Sequence, residues 1–488
     1  MEAANMDDPH QALYLSLDQG GHASRALVFD RMGQLQAKAV VETAEQRIPP
    51  DRVEQDGDAL VRSLERAAEE AIVSLGGRAA NVAAAGLATQ RSSIICWDRE
   101  TGAPLSPVLS WQDRRAQDWL QQFAPEVEKI RERTGLVLSA HYGASKLRWC
   151  LDHLPAAASA RDAGRLAMGP LASFLLFRLL RERPLLIDPS NAGRTLLWNL
   201  DRGDWDDELI KLFGIPRAAL PACVPTRHDY GTLTVHGREI PLTVLNGDQS
   251  AALFALGRPH ANTAYVNLGT GAFVLHALGE LPAPRPRLLC SVAWRDAAES
   301  VYVIEGTVNG AGSALEWAAQ KLGVKDTEKE LAGWWKTETS PPLFLNGVSG
   351  LGSPFWVPDF ESRWIGDGSP PAKVVAVAES ILFLIQRNLE EMKKSFTQFE
   401  QIFVSGGLST NDVLCEKLAN LSALPVYRPV EHEATARGLA WLVGGCPADW
   451  PEQEFGRWFR PSPDEGLRER YERWGKEMNA GLGRGIVG

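Results

Sequence analysis

Apolar residues flank two glycine-rich turns that lie half a chain apart. In the first stretch Leu15, Leu17, Ala26, Leu27, Val28 and Phe29 surround Gly20-Gly21; in the second, Ala264, Val266, Leu268, Ala272, Phe273, Val274 and Leu275 surround Gly269-Thr270-Gly271. Apolar runs on both sides of a short glycine turn predict a β-hairpin. Glycine at the tip lets backbone approach a ligand closely, and successive amides in such a turn form an anion-binding nest. Two nests at this separation predict a phosphate gripped between two related domains.

The same patterning predicts a third strand over 33–41, then an amphipathic helix over 59–75 with Leu60, Leu64, Ala67, Ala71, Ile72 and Leu75 on one stripe. Strands follow over 82–89 and 94–97, and helices over 113–132, 146–152, 171–181 and 206–213, the last stopped by Gly214 and Pro216. In the second half, strands are predicted over 242–245, 301–305 and 401–405, and helices over 313–322, 372–394 and 411–423. Segments after Glu338 and Pro358, rich in Pro and Gly, read as surface loops. Hairpins mixed with strand–helix alternation predict an α/β fold with mixed sheets in both halves. The boundary falls near 248–257, giving domains 11–250 and 251–488.

Composition narrows the class. A chain of 488 residues exceeds one hydrophobic core. The net charge of −10 disfavours nucleic acid and anionic membrane as partners. No apolar run reaches membrane-spanning length, and the polar, acidic stretch 1–11 lacks the features of a signal peptide. The six cysteines are scattered without metal-ligand or redox spacing and read as free thiols. A cytoplasmic enzyme is the expectation.

Candidate chemistry clusters at strand ends. Asp18 closes a strand beside the first turn, where a carboxylate can hold Mg²⁺ through water next to phosphate oxygens, or can simply stabilise the turn. Gly269-Thr270-Gly271 lacks the third glycine of a dinucleotide fingerprint and is followed by a strand, so a Rossmann reading is weak; no Walker A sequence is present. Gly407-Leu408 and Asn411 open a helix after a strand, a junction suited to phosphate or base, or only to turning the chain. Asp248, in Asn246-Gly247-Asp248-Gln249, could take a proton from a substrate hydroxyl or cap a turn. Arg91, Trp111 and His141 suit polyol recognition, Arg by its donor fork and Trp by its face for C–H groups.

In order and spacing these pieces resemble the FGGY carbohydrate kinases, and within them the glycerol kinases, from about Leu13 to Gly485. The match is carried by Leu17-Asp18-Gln19-Gly20, Thr89-Gln90-Arg91, Trp111-Gln112-Asp113-Arg114-Arg115, Lys146-Leu147-Arg148-Trp149, Asn191-Ala192-Gly193-Arg194-Thr195, Gly247-Asp248-Gln249, Gly269-Thr270-Gly271 and Gly350-Leu351-Gly352-Ser353-Pro354-Phe355-Trp356. The resemblance implies two actin-like, ribonuclease-H-like domains closing a cleft on MgATP and a sugar or polyol, with homodimerisation as the family suggests. It assigns Asp248 as the base and Asp18, with Asp248, to the metal. Gly20, Gly21, His22, Ser24, Arg25, Gly269, Thr270, Gly312, Glu316, Gly407, Leu408 and Asn411 fall on nucleotide positions. Arg91, Ser92, Trp111, His141, Gln249 and Phe273, with Asp248, fall on substrate positions.

The departures bear on substrate. Glycerol kinases carry two threonines and a serine where this chain has Gly21-His22-Ala23, a glutamate at Ser92 and a tyrosine at His141. Glu316 stands for a glutamine and Ser405 for an aspartate. Losing acceptors from a site that reads hydroxyls penalises that substrate, so glycerol itself is in doubt. The expectation is an ATP-dependent kinase of a small polyol or sugar. The alternative is a catalytically lapsed member that senses nucleotide or sugar, motivated by the altered turn and opposed by retention of Asp248.

Overall fold

A computed structural model of the protein describes residues 12–282, 287–338, 340–394, 398–430, 433–451 and 456–484. The polar N-terminal stretch and the outermost residues of the two expected domains lie outside the described residues.

Two sheets organise the chain. The first runs in the order Arg227–Val235, Arg238–Gly247, Val82–Thr89, Leu13–Gln19, Ala23–Asp30, Leu35–Glu42. The second runs Arg457–Phe459, Val426–Arg428, Gln401–Ser405, Thr263–Leu268, Ala272–Leu278, Ser300–Val308, Leu289–Arg295. Both follow one scheme. A glycine-tipped hairpin leads an antiparallel meander, two parallel strands extend it on the other side, and an antiparallel strand closes that edge. The two turns therefore emerge at equivalent points of two related sheets.

Local sequence explains the flanking helices. Asp56 caps the helix Gly57–Ser74 by accepting from the Ala59 amide, and its Leu60, Leu64, Ala67, Ala71 and Ile72 stripe packs on the first sheet. The opposite face of that sheet is covered by Ala434–Val443, a helix from late in the chain. It crosses Asp248–Ala252 so closely that a Cβ on Gly438 would lie 1.9 Å from the Ala251 carbonyl oxygen. Around this crossing Leu27, Phe29 and Val244 of the first sheet share a core with Leu275 and Val303 of the second. Phe254 stacks on Trp441 at 5.6 Å within it.

Two expectations fail on physical grounds. The helix expected over 113–132 is broken into Gln117–Leu120, a 3-10 turn Gln121–Glu126 and Val127–Thr134. Pro125 lies inside the 3-10 turn, where it lacks the donor a continuous helix needs. Asp113 is consumed instead as a buried acceptor for the Val53 amide and the Arg115 guanidinium. The segment after Glu338 is not merely surface loop: Leu343–Leu345 is a buried strand paired with Arg363–Ile365. The C-terminal helix Glu465–Arg484 is pinned by Arg470 to Glu379 and to the carbonyls of Pro341 and Pro342.

Candidate active site

The register of the first hairpin sets Asp18 opposite Arg25, with Arg25 Nη1 3.4 Å from Asp18 Oδ2. Arg25 also lies 3.7 Å from Glu433, which Lys38 contacts at 2.6 Å, so the hairpin touches the entry to the crossing helix. The turn closes through the Gly20 amide on the Ala23 carbonyl at 3.0 Å, with Gly21 and His22 at the solvent side. Strand alternation turns Ser24 the other way. Its hydroxyl is buried on Ser63 at 2.7 Å, leaving its backbone as the part near the turn.

The second turn closes likewise, Gly269 amide to Gly271 carbonyl at 2.9 Å. It is docked on the start of the helix Gly312–Leu322. The Gly312 amide donates to the Gly269 carbonyl, and the Ala311 and Ser313 amides donate to that of Thr270. A Cβ at Gly312 would sit 2.9 Å from the Gly269 oxygen, so the approach requires glycine. Glu316 is exposed one turn further on. Gly406, at φ +88°, lies against the Leu268 carbonyl and brings Gly407 and Leu408 beside the same strand end. The Asn411 side chain caps the following helix through the Val413 amide.

A polar floor lies near Asp18. Asp248 opens its short helix where Arg238–Gly247 ends, and the preceding Gly247 amide donates to Ser190 Oγ at 2.8 Å. Ser190 in turn donates to Asp188, a buried helix cap. Gly247 is the residue that lets Arg91 lie across the strand, since a Cβ there would be 2.4 Å from Arg91 Cδ. Arg91 donates to Gln249, stands 3.8 Å from Asp248 Oδ1 and 3.6 Å from Glu305 Oε2. Phe273 shares with Asp248 and Gln249 a cavity of about 270 Å³ that reaches Asn267 and Thr435. Trp111 and His141 meet edge to face at 5.7 Å. Ser92 adopts φ +65°, and its buried hydroxyl has no partner among the described residues.

Electrostatics separate the roles of these groups. Burial pushes Asp18 up to about 7, with Arg25 opposing and Asp248 adding to the rise. Asp248 is likewise raised by burial and opposed by Arg91. Asp18 is buried and Asp248 half-buried, and the Asp248 charge helps to raise Asp18, so a cation beside the pair would relieve both. Burial, then the cations Arg114, Lys146, Arg194 and Arg91, drive His141 well below the ordinary imidazole range, so it is a neutral donor and acceptor.

Three residues outside the expected set complete the floor. Glu305, reached from the second sheet, is buried against Arg194 of the first half; burial alone would raise its pKa, but Arg194 and Arg91 hold it low. Lys146 is wholly buried and spends its three donors on the carbonyls of Ser92 at 2.7 Å, Ser110 at 3.0 Å and His141 at 2.9 Å. One ammonium thus joins three loops of the first half of the chain. Both Arg194 and Lys146 lie in motifs quoted above, whereas Glu305 sits in an apolar strand with no local sign of its role.

Models of the N-terminal and C-terminal domains of the FGGY family of carbohydrate kinases match residues 13–255 and 264–444. The chain is 32% identical to the glycerol kinase of Deinococcus radiodurans, covering 96% of this chain and 97% of that one. It is 37% identical to the glycerol kinase of Alkalilimnicola ehrlichii over 88% and 89% of the two chains. The crystal structure of Plasmodium falciparum glycerol kinase with ADP superposes with a TM-score of 0.86 at 21% identity, covering 98% of this chain and 99% of that one. The protein therefore belongs to the FGGY carbohydrate kinases. It has their two-domain actin-like and ribonuclease-H-like α/β fold, and it is a phosphotransferase acting on a sugar or polyol hydroxyl with ATP as donor.

Proposed function

We propose that the protein transfers the terminal phosphoryl group of MgATP to a hydroxyl of a small polyol or sugar, with Asp248 as general base. The observation that carries this is the placement of Asp248 beside Arg91, near enough to Asp18 to raise that carboxylate, and on the cavity that Asn267 and Phe273 also line. We read residues 11–250 as the substrate half and 251–488 as the nucleotide half. The first and second turns hold phosphate oxygens, with Arg25 and Thr270 beside them; Gly312, Glu316, Gly407, Leu408 and Asn411 flank the rest of the nucleotide. Mg²⁺, held by Asp18 and Asp248 through water, would neutralise charge on the phosphates. Phosphoryl transfer asks mainly for alignment and electrostatic support, which amides from two domains supply once the cleft closes.

Acceptor recognition falls to Arg91, Gln249, Trp111, His141 and Phe273. The unpartnered Ser92 hydroxyl offers a small polar contact where a carboxylate would accept two hydroxyls. This supports an acceptor other than glycerol. Retention of the base and both turns supports an active enzyme over a lapsed sensor. A net charge of −10 supports a small-molecule partner over nucleic acid or an anionic membrane.

A coupled ADP-release assay across polyols, ketoses and hydroxy acids is expected to give turnover, with at least one compound preferred over glycerol. No turnover on any compound, with ATP still bound, would overturn the reading. The same assay tests His141. Because burial and then the neighbouring cations keep it neutral, His141→Gln should remove no inflection of acceptor kcat/KM near the ordinary imidazole pKa of about 6.5, a range in which Asp18, raised to about 7, titrates. An inflection there that disappears in His141→Gln would contradict the neutral assignment.

A further inference from the structure

Behind the first turn stand three buried glutamines, Gln19, Gln55 and Gln90. Gln19 Nε2 donates to the Gly20 carbonyl at 2.6 Å, and Gln55 Nε2 donates to the Gly21 carbonyl at 2.8 Å. The next carbonyl, of His22, accepts from the Thr43 amide at 2.9 Å. Every carbonyl of the tip is thus drawn to the protein side. The peptides are trans and planar, so each N–H points opposite to the carbonyl of its own peptide unit. Holding the Gly20 and Gly21 carbonyls inward aims the Gly21 and His22 amides outward to the cleft.

A second tier fixes the first. The Gln90 amide nitrogen donates to Gln19 Oε1 at 3.0 Å and to Gln55 Oε1 at 2.8 Å. Its own oxygen accepts from Ser93 Oγ at 2.9 Å, and Ser93 Oγ accepts from the Trp111 amide at 3.0 Å. The chain of bonds therefore runs from the turn carbonyls to the backbone of a substrate-side residue, through the residue immediately before Arg91. A polar network in which each donor and acceptor is used is rigid, and loss of one member leaves buried groups unpaired.

We propose that Gln55 and Gln90 are positioning residues that preorganise the Gly21 and His22 amides as phosphate donors and hold that turn in register with the acceptor site. The proposal rests on the kinase reading of the cleft. It explains how a tip without hydroxyl side chains keeps its grip: the donors are backbone amides, and their direction is set from behind.

The test is direct binding by calorimetry of a non-hydrolysable ATP analogue and of AMP, on the full chain. Gln55→Met and Gln90→Met are expected to weaken the triphosphate analogue about tenfold or more while AMP affinity stays within about twofold. Gln55→His, which restores an N–H donor of similar reach, should recover most of that loss. Equal weakening of both nucleotides, no weakening of either, or no recovery by Gln55→His would overturn the proposal. Turnover distinguishes the two readings. A wild-type protein inactive on every acceptor defeats the kinase reading, and the affinity ratio still decides the role of the glutamines.

Discussion

Asp248→Asn is expected to lower turnover by about 10³-fold or more while leaving ATP affinity within about threefold of wild type. The substitution keeps shape and the capping of the Gln249 amide by Oδ1, which stands at 2.7 Å. It removes the carboxylate that we propose takes a proton from the acceptor hydroxyl. Arg91 sits beside this carboxylate and opposes the rise that burial imposes, which favours the ionised form that a base requires. Removing the charge also frees Arg91, which then has Gln249 and Glu305 as partners. Acceptor KM should consequently move less than kcat, since Arg91 remains in place. Single-turnover assays with nucleotide binding measured separately check this. Turnover retained within about tenfold would mean that proton removal is not the task of Asp248.

Much of this arrangement is legible in the chain because its signals are local. Apolar strands around glycine turns announce both hairpins, and the caps at Asp56, Asp206 and Asn411 mark helix starts within a few residues. Direction within a strand is legible too. Ser24 and Arg25 are adjacent and so face opposite sides, which sends one hydroxyl into the core and one guanidinium to Asp18. What is not legible is contact between distant segments. The ion pair of Arg194 and Glu305 joins residues 111 positions apart, and nothing near Glu305 in its apolar strand distinguishes it. Gln55 lies on a four-residue strand whose pattern says nothing of the turn it supports. The helix expected through Pro125 breaks there because proline lacks the donor, and it starts late because Asp113 is spent on the Val53 amide. Motif spacing thus nominates the groups proposed to meet ligand, while the buried groups behind them emerge only from the fold.

Arg194→Met should produce the largest loss of stability among single substitutions in the cleft floor. Arg194 and Glu305 are both almost fully buried and come from opposite halves of the chain. Removing the arginine leaves a carboxylate in the interior with Arg91 at 3.6 Å as its remaining ion-pair partner. Breaking a buried pair in this way typically costs about 3–5 kcal/mol, and here the cost falls on contact between the halves. The midpoint of urea unfolding is the measurement, and a midpoint equal to wild type would show that the pair does not join them. Arg194→Met combined with Glu305→Leu should regain most of the loss, because a well-packed apolar pair is often as stable as a buried ionic one. The double variant should nevertheless remain a poorer kinase. Without Glu305, Arg91 is held only by Gln249 and Asp248, and its pull on the base grows. Stability recovered without acceptor kcat/KM would separate the two roles of Glu305: neutralising Arg194 in the floor, and sharing Arg91 with Asp248.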